Sequence, residues 1–364
     1  MKIASIVGAR PQFVKAGPVS RALRRRAQEV LIHTGQHYDY EMSQSFFDGL
    51  DLPKPDHNLG VGSGSHARQT AAMLMALEPV LKAERPDVVL VYGDTNSTLA
   101  GVLAAAKLPI PLGHVEAGLR SGDRRMPEEQ NRVVADRLAT WLFAPTDVAV
   151  ANLRREGIAA GVHRTGDVML DSLREAELAL DACAPRVLKR EGLAPGGYYL
   201  ATVHRAGNTD DPARLDAILR ALATLDRPVI LPLHPRTREA LGRLAPALAE
   251  GPAGTLAVAG RSSPVRLLPP IPYVEMLALE RHAAAILTDS GGVQKEAYLL
   301  GVPCVTLREE TEWVETVALS WNVLAGCDGE AIRAAAWRPA PRGPRPPVFG
   351  DGRAAEHIAS ILCG

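Results

Sequence analysis

Apolar and polar positions alternate in blocks along the chain. The runs "KIASIVG", "EVLIHTG", "DVVLVYGD" and "IPLGHVE" are apolar on consecutive positions, the pattern of strands covered on both faces. Between them, "VKAGPVSRALRRR", "ARQTAAMLMALEPVLKAE" and "STLAGVLAAAKL" space their apolar residues as helices do. "TWLFAPTD" and "GVHRTGDV" add two strands, and the strand–helix alternation predicts a parallel, doubly wound sheet. The pattern then restarts. "GYYLATVHR", "PVILPLHP", "TLAVAG", "AAAILTDSGG" and "VPCVTLRE" read as strands, with "DPARLDAILRALATL" and "GVQKEAYLLG" as helices among them. The Pro/Gly-rich "WRPAPRGPRPPVFGDG" cannot be regular helix and reads as a strap leading to a last helix, "AAEHIASILC". The predicted fold class is α/β, with two Rossmann-like domains whose parallel sheets face across a cleft. The first is residues 1–168 plus 351–364, the second 169–350.

Charge narrows the partners. The 364 residues carry 41 Lys and Arg against 41 Asp and Glu. A balanced chain lacks the basic excess that nucleic acid or a membrane surface requires, so neither is expected, and any anion must meet a local cluster. No apolar run approaches the ~20 residues of a membrane span. "MKIASIVGAR" has no signal-peptide pattern and reads as a first strand, so the cytoplasm is the expected location. Cys183, Cys304, Cys327 and Cys363 are scattered without ligand spacing, which predicts reduced thiols and no metal.

In open parallel sheets, ligands bind beyond the carboxyl ends of strands. The first strand ends in "GARPQFVK", placing Arg10 and Lys15 on the following helix, where a phosphate is favoured. Asp94 follows the strand "DVVLVYG", either as a functional carboxylate or as a helix N-cap. Glu116 ends the next strand. "GHVEAGLRSGDRRMPEEQNR" then crowds Glu116, Glu128, Glu129, Asp123 and four arginines into one stretch. Acidic residues in a first helical turn are common for dipole reasons alone. Three carboxylates arriving from two strand ends and one helix start nevertheless point to proton transfer beside an anionic ligand. In the second half His204 with Arg205, and His234 with Arg236, follow strands. "LTDSGGVQKEA" sets Ser290, Gly291 and Gly292 before a helix expected from about Val293. There, backbone N–H groups suit a diphosphate and Glu296 suits ribose hydroxyls.

The ordered motifs "GARPQFVK", "GDTNST", "HVEAGLRSGD", "PEEQNR", "HR", "HP", "TDSGGVQKEA" and "FGDG" span nearly the whole chain. With them the chain resembles the non-hydrolysing UDP-N-acetylglucosamine 2-epimerases, of the GT-B structural class. The resemblance implies a UDP-sugar substrate, no cofactor and no metal, a homodimer, and a role in lipopolysaccharide biosynthesis. It implies that UDP leaves C1 as the C2 proton is lost, then adds back while C2 is reprotonated on its other face. Asp94, Glu116 and Glu128 would be the acid/base set, and His204 an acid or cationic partner. Arg10, Lys15, Arg132 and His204 would surround the leaving diphosphate. His234 also lies in the implied binding set. Met276 stands where relatives place an aromatic residue against the uracil. Ser290, Gly291, Gly292 and Glu296 would hold the phosphates and ribose.

The chain departs from the common pattern at several places. Gln12 stands for a glutamate, Lys295 for a glutamate, Trp313 for an arginine and Gly207 for the usual glutamate. The loop before "PEEQNR" is short and basic. These features resemble the subgroup acting on UDP-2,3-diacetamido-2,3-dideoxy-glucuronate. Gln12, Lys295, Arg124 and Arg125 would shift the site toward positive potential and suit a C6 carboxylate. The stretch "GQHYD" keeps Gln36 but places Asp39 where relatives with an activator site have a second glutamine, which predicts simple saturation kinetics. A UDP-N-acetylglucosamine 2-epimerase, a hydrolysing epimerase, a UDP-sugar glycosyltransferase and a catalytically dead sugar-nucleotide sensor remain alternatives, separable by product analysis.

Overall fold

A computed structural model describes residues 1–36, 52–243, 248–250, 254–258 and 261–364. Contacts divide the chain into two units, Met1–Ala176 with Pro346–Gly364, and Glu177–Arg345. The first contains β1 (Lys2–Val7), β2 (Gln28–His33), β3 (His57–Asn58), β4 (Val88–Tyr92), β5 (Leu112–Val115), β6 (Trp141–Ala144) and β7 (Val162–Arg164). They form a parallel sheet in the order β3-β2-β1-β4-β5-β6-β7. All five residues of β4 are buried, because each face of the sheet is covered. Side chains alternate between two cores. Ile3 and Leu90 join Phe13, Val19 and Leu23 of the helix Arg10–Arg24, together with Ile358 and Leu362 of the last helix, Ala354–Cys363. Ala4, Val89 and Val91 join Met73, Leu77 and Leu81 of the helix His66–Glu84. The strand order reverses between β1 and β4, so the crevice at their carboxyl ends is where a ligand site belongs.

The second unit has an eight-stranded sheet. Its strands are β8 (Tyr199–Thr202), β9 (Val229–Pro232), β10 (Leu248–Glu250), β11 (Thr255–Val258), β12 (Arg261–Leu268), β13 (Ala285–Thr288), β14 (Cys304–Thr306) and β15 (Asn322–Leu324). The order is β10-β11-β12-β9-β8-β13-β14-β15. Six strands from β12 to β15 are parallel, and the reversal falls between β8 and β13. One expectation is corrected here. "TLAVAG" supplies an antiparallel strand, β11, between β10 and β12, while the parallel strand beside β9 is β12. Its sequence "RSSPVRLL" interrupts the apolar run with polar residues and Pro264, so the strand signal was masked. β15 is short and begins with a buried Asn322, and it too escaped the pattern.

The division between units falls inside the helix Val168–Glu191 rather than at its start, as the expected boundary of 168 had it. Its first turns are tied to unit one. Ser172 Oγ donates to Val14 O at 2.7 Å, and Asp171 accepts the N–H groups of Ala354 and Ala355 at 3.2 and 2.9 Å. The return to unit one begins at Pro346, not 351, because the strap is anchored earlier. Phe349 is buried, and Phe349 O accepts the Asp167 N–H at 2.9 Å. Among the described residues no helix is long and apolar enough to cross a membrane.

Asp171 generates a pH prediction. Burial pushes its carboxyl up to about 6, against the opposing pull of its two backbone N–H partners, with Asp167 and Glu175 adding to the rise. A folded-state pKa above the unfolded 3.8 means that the native chain binds more protons between the two values. Stability from this group is therefore lost as pH rises from about 4 to about 6. Asp171→Asn removes that slope. The wild type should gain roughly 1 kcal/mol relative to Asp171→Asn between pH 7 and pH 5, read from denaturant titrations. A constant difference across that range would contradict it.

Candidate active site

In unit one, the chain leaves β4 through Gly93, whose φ of +61° places it in the left-handed region. A Cβ there would lie 3.0 Å from Lys15 Nζ and 3.2 Å from Glu116 Oε2, so a glycine lets the backbone pass beside that pair. Asp94 comes next. It is not the helix cap, since Thr95 takes that role and its side chain accepts the Thr98 N–H. The Asp94 carboxylate meets Arg132 Nη2 at 2.5 Å, and Asn131 Nδ2 donates to Asp94 O at 2.8 Å. Glu116 follows β5, is buried, and forms an ion pair with Lys15. Its φ is +73°, a backbone state that costs a non-glycine residue of order 1–3 kcal/mol.

Lys15 and Arg132, expected as cations for a diphosphate, are each paired with a carboxylate of the expected acid/base set. Charge separation explains this, because an isolated buried cation or carboxylate is far more costly than a buried pair. Glu128 is half-buried in the first turn of the helix Pro127–Leu138. Its neighbour Glu129 is buried and closed off. It accepts the N–H groups of Ser121 and Gly122 at 2.9 and 3.1 Å, Ser121 Oγ at 3.2 Å and Arg132 Nη1 at 2.9 Å. Glu129 thus shapes the basic loop. Arg125 in that loop is chelated by Asp123 and its side chain is 90% exposed, whereas Arg124 is exposed without an ion-pair partner among the described residues.

Two residues of this neighbourhood were missed from sequence. His114 is fully buried on β5, with Nδ1 at 2.7 Å from Asp136 Oδ1 and Nε2 at 2.8 Å from Gly93 O. Asp136 also accepts the Gly118 N–H at 3.0 Å and Arg120 Nη1 at 2.8 Å. Burial would push the Asp136 carboxyl up, but His114 and Arg120 outweigh it and hold the carboxyl below its usual range. A polar residue inside an apolar run, two positions before Glu116, was the available signal.

Gln12 requires a correction. It is buried, its Oε1 accepts the N–H groups of Gly8 and Ala9, and its Nε2 donates to Tyr92 O and Thr98 Oγ1. With every donor and acceptor direction occupied, it clips the Gly8 turn and does not recharge the site. Arg10 opens the helix Arg10–Arg24. Gln36 Oε1 accepts Ser97 N–H and Oγ at 3.0 and 2.7 Å, while Asp39 lies outside the described residues.

In unit two, the helix after β13 begins at Gly291, two residues earlier than expected, with Ser290 as its N-cap. Its side chain accepts the Val293 N–H at 3.4 Å, a long contact. The first-turn N–H groups of Gly291 and Gly292 have no helical partner by construction. A Cβ on Gly291 would lie 3.4 Å from Trp313 Nε1, 3.6 Å from Glu312 Oε2 and 3.9 Å from Arg205 Nη2, so polar groups converge at this helix start. Asp289, fully buried, ties in the neighbouring loop. It accepts the N–H groups of His204 and Arg205 at 3.0 and 2.9 Å and Asn208 Nδ2 at 3.1 Å. The His204 and His234 rings lie 5.4 Å apart, and His234 Nδ1 accepts the Arg236 N–H at 3.2 Å.

Glu296 is buried one turn into the helix. Lys295 and Trp313, two separate departures from the family pattern, meet: Lys295 Nζ is 4.2 Å from the indole centroid, with both residues buried. Met276 lies 8% exposed in a core cluster with Leu200, Ile230 and Leu279. It is therefore core packing first.

Residues 21–363 match the family model described as UDP-N-acetylglucosamine 2-epimerase. The UDP-2,3-diacetamido-2,3-dideoxy-D-glucuronate 2-epimerase of Pseudomonas aeruginosa is 46% identical, over 100% of this chain and 99% of that protein. A UDP-N-acetylglucosamine 2-epimerase homolog of Methanococcus maripaludis is 51% identical, over 91% of this chain and 90% of its own. The crystal structure of Methanocaldococcus jannaschii UDP-GlcNAc 2-epimerase in complex with UDP-GlcNAc and UDP superposes with a TM-score of 0.90 at 40% identity, covering 100% of this chain and 99% of that one. The fold is of the GT-B type.

Asp289 supplies the prediction from this geometry. Asp289→Asn turns one acceptor oxygen into a donor facing the His204 and Arg205 N–H groups. Leaving such buried donors unsatisfied should cost about 1–3 kcal/mol in a denaturant titration. Stability equal to that of the wild type would show that the carboxylate is not what holds the loop.

Proposed function

The chain belongs to the UDP-N-acetylglucosamine 2-epimerase family and is a UDP-sugar 2-epimerase, an isomerase; we propose that it works by eliminating and re-adding UDP. In this reading the substrate is UDP-2,3-diacetamido-2,3-dideoxy-glucuronate, and C2 inversion gives the mannuronate. The observation that carries the mechanism is the interleaving of Asp94 with Arg132 and of Glu116 with Lys15 at the ends of adjacent strands. A C2–H beside an acetamido group is a poor acid. Its removal is feasible only as the diphosphate departs and C1 gains oxocarbenium character. Carboxylates then serve twice, taking a proton and stabilising positive charge, while donors elsewhere receive the charge of the leaving UDP.

Inversion requires a proton removed from one face and returned to the other, hence more than one carboxylate. We assign Asp94, Glu116 and Glu128 to that set. In unit two the diphosphate falls to the Gly291 and Gly292 N–H groups, Ser290 and His204. Glu296 takes the ribose hydroxyls, and His234 assists at the phosphates. The uronate reading is supported by the Pseudomonas relative and by Lys295, a buried cation where the family pattern has a glutamate. UDP-N-acetylglucosamine is the second reading, supported by the Methanocaldococcus complex. The proposal includes a cytoplasmic homodimer supplying a lipopolysaccharide precursor.

Turnover in heavy water should place deuterium at C2 of the product. Asp94→Asn, Glu116→Gln and Glu128→Gln should each lower kcat by roughly 10²–10⁴ if each group transfers a proton. Unlabelled product, or full activity in all three variants, contradicts the assignment. For the substrate, kcat/KM should favour the uronate over UDP-N-acetylglucosamine by very roughly ten- to a hundredfold, since a charge-assisted hydrogen bond contributes about 1.5–3 kcal/mol. Arg124→Ala should erode that preference while Arg125→Ala leaves it, because Asp123 already engages Arg125. A preference for the neutral sugar would select the second reading.

A further inference from the structure

We infer that His114 and Asp136 are positioning residues that hold Asp94 and Glu116 in register with each other, an inference that rests on the epimerase reading. Among the described residues, Arg85, Pro109, Glu116 and Ser320 are the non-glycine residues with positive φ. Of these, Glu116 alone belongs to the proposed acid/base set. Backbone held in that state must be over-determined by its surroundings. Here the restraint comes largely from one side chain. Asp136 Oδ1 meets His114, two residues before Glu116, and Asp136 Oδ2 accepts the N–H of Gly118, two residues after it. The N–H groups of Glu116 and Ala117 both go to Phe143 O at 3.1 Å. Gly118 itself admits no side chain, as a Cβ would sit 2.4 Å from Ala149 O.

The same histidine reaches across to the neighbouring strand. His114 Nε2 donates to Gly93 O, the carbonyl of the peptide that leads into Asp94. Asn131 holds the peptide on the other side of Asp94. The two ring nitrogens of His114 thus face a carboxylate and a backbone carbonyl. Arg120 balances the arrangement by bridging Asp136 to Glu156, with Nε and Nη2 each 2.7 Å from a Glu156 oxygen. Past the end of β4 the Gly93 N–H still donates to Val115 O at 3.0 Å. His114 adds a side-chain link at the same peptide, through Gly93 O. A reaction that takes a proton on one face and returns it on the other depends on the separation of its two carboxylates. A misplacement of about 1 Å can cost on the order of a hundredfold in rate.

Two substitutions separate the two bonds. His114→Asn puts an amide nitrogen at the place of Nδ1, keeps the Asp136 contact and leaves Gly93 O without its donor. His114→Gln puts the nitrogen at the place of Nε2 and keeps the Gly93 contact. With the UDP-sugar that the wild type epimerises best, His114→Asn should lower kcat about ten- to a hundredfold and leave KM within about twofold. His114→Gln should recover most of the loss. Asp136→Asn, facing the Gly118 and Arg120 donors, should lower kcat likewise at near-normal KM. An active wild type with unchanged kcat in His114→Asn, with KM rising in step, or with Gln no better than Asn, overturns the inference alone. A His114→Asn or Asp136→Asn chain that melts below the assay temperature shows a fold element instead and also overturns it. A wild type that epimerises no UDP-sugar removes the functional reading and this inference together.

Discussion

A buried carboxylate must be surrounded by donors, and in this protein that requirement organises each candidate site. Asp136 in unit one and Asp289 in unit two are both almost wholly inaccessible. Each collects backbone and side-chain donors from chain segments that leave different elements. Their desolvation is costly, so the donors cannot drift without leaving a charge unsatisfied. Loops at strand ends, which would otherwise be the loosest parts of an α/β sheet, are held in that way.

In unit one the consequence is a pairwise arrangement of charge. Glu116 and Asp94, read from sequence as one crowded carboxylate set, are paired separately with Lys15 and Arg132. Each has its own cation, and those cations stand on helices that pack against the sheet. The positive φ of Glu116 is one cost of this placement. In unit two, polar groups from separate segments converge at the start of the helix Gly291–Leu300. The space a side chain on Gly291 would need is bordered by Trp313, Glu312 and Arg205.

The pairing of Lys295 with Trp313 shows how two departures from a family pattern can be one change. Where the pattern has a glutamate and an arginine, this chain has a cation on an indole face. A desolvated contact of this kind contributes about 2 kcal/mol. Gln12, which looked like part of the same trend, belongs to the fold of unit one.

The linear pattern determined most of the architecture. Consecutive apolar positions mark strands buried on both faces, and helical spacing marks their covers, since burial on two faces leaves no room for polar alternation. Strand-end logic likewise brought out Asp94, Glu116, Ser290 and Gly291, because in a parallel sheet the carboxyl ends are where chain and ligand meet. The pattern failed where apolar runs are broken, at β12 and β15. It also failed to reveal partners. That Lys15 belongs to Glu116, that Gln12 is closed on itself, that Met276 is core packing, and that His114 joins Asp136 to Gly93 are facts about residues distant in sequence. Only tertiary structure decided them, because hydrogen bonds and ion pairs are set by distances of a few ångströms that spacing along the chain does not encode.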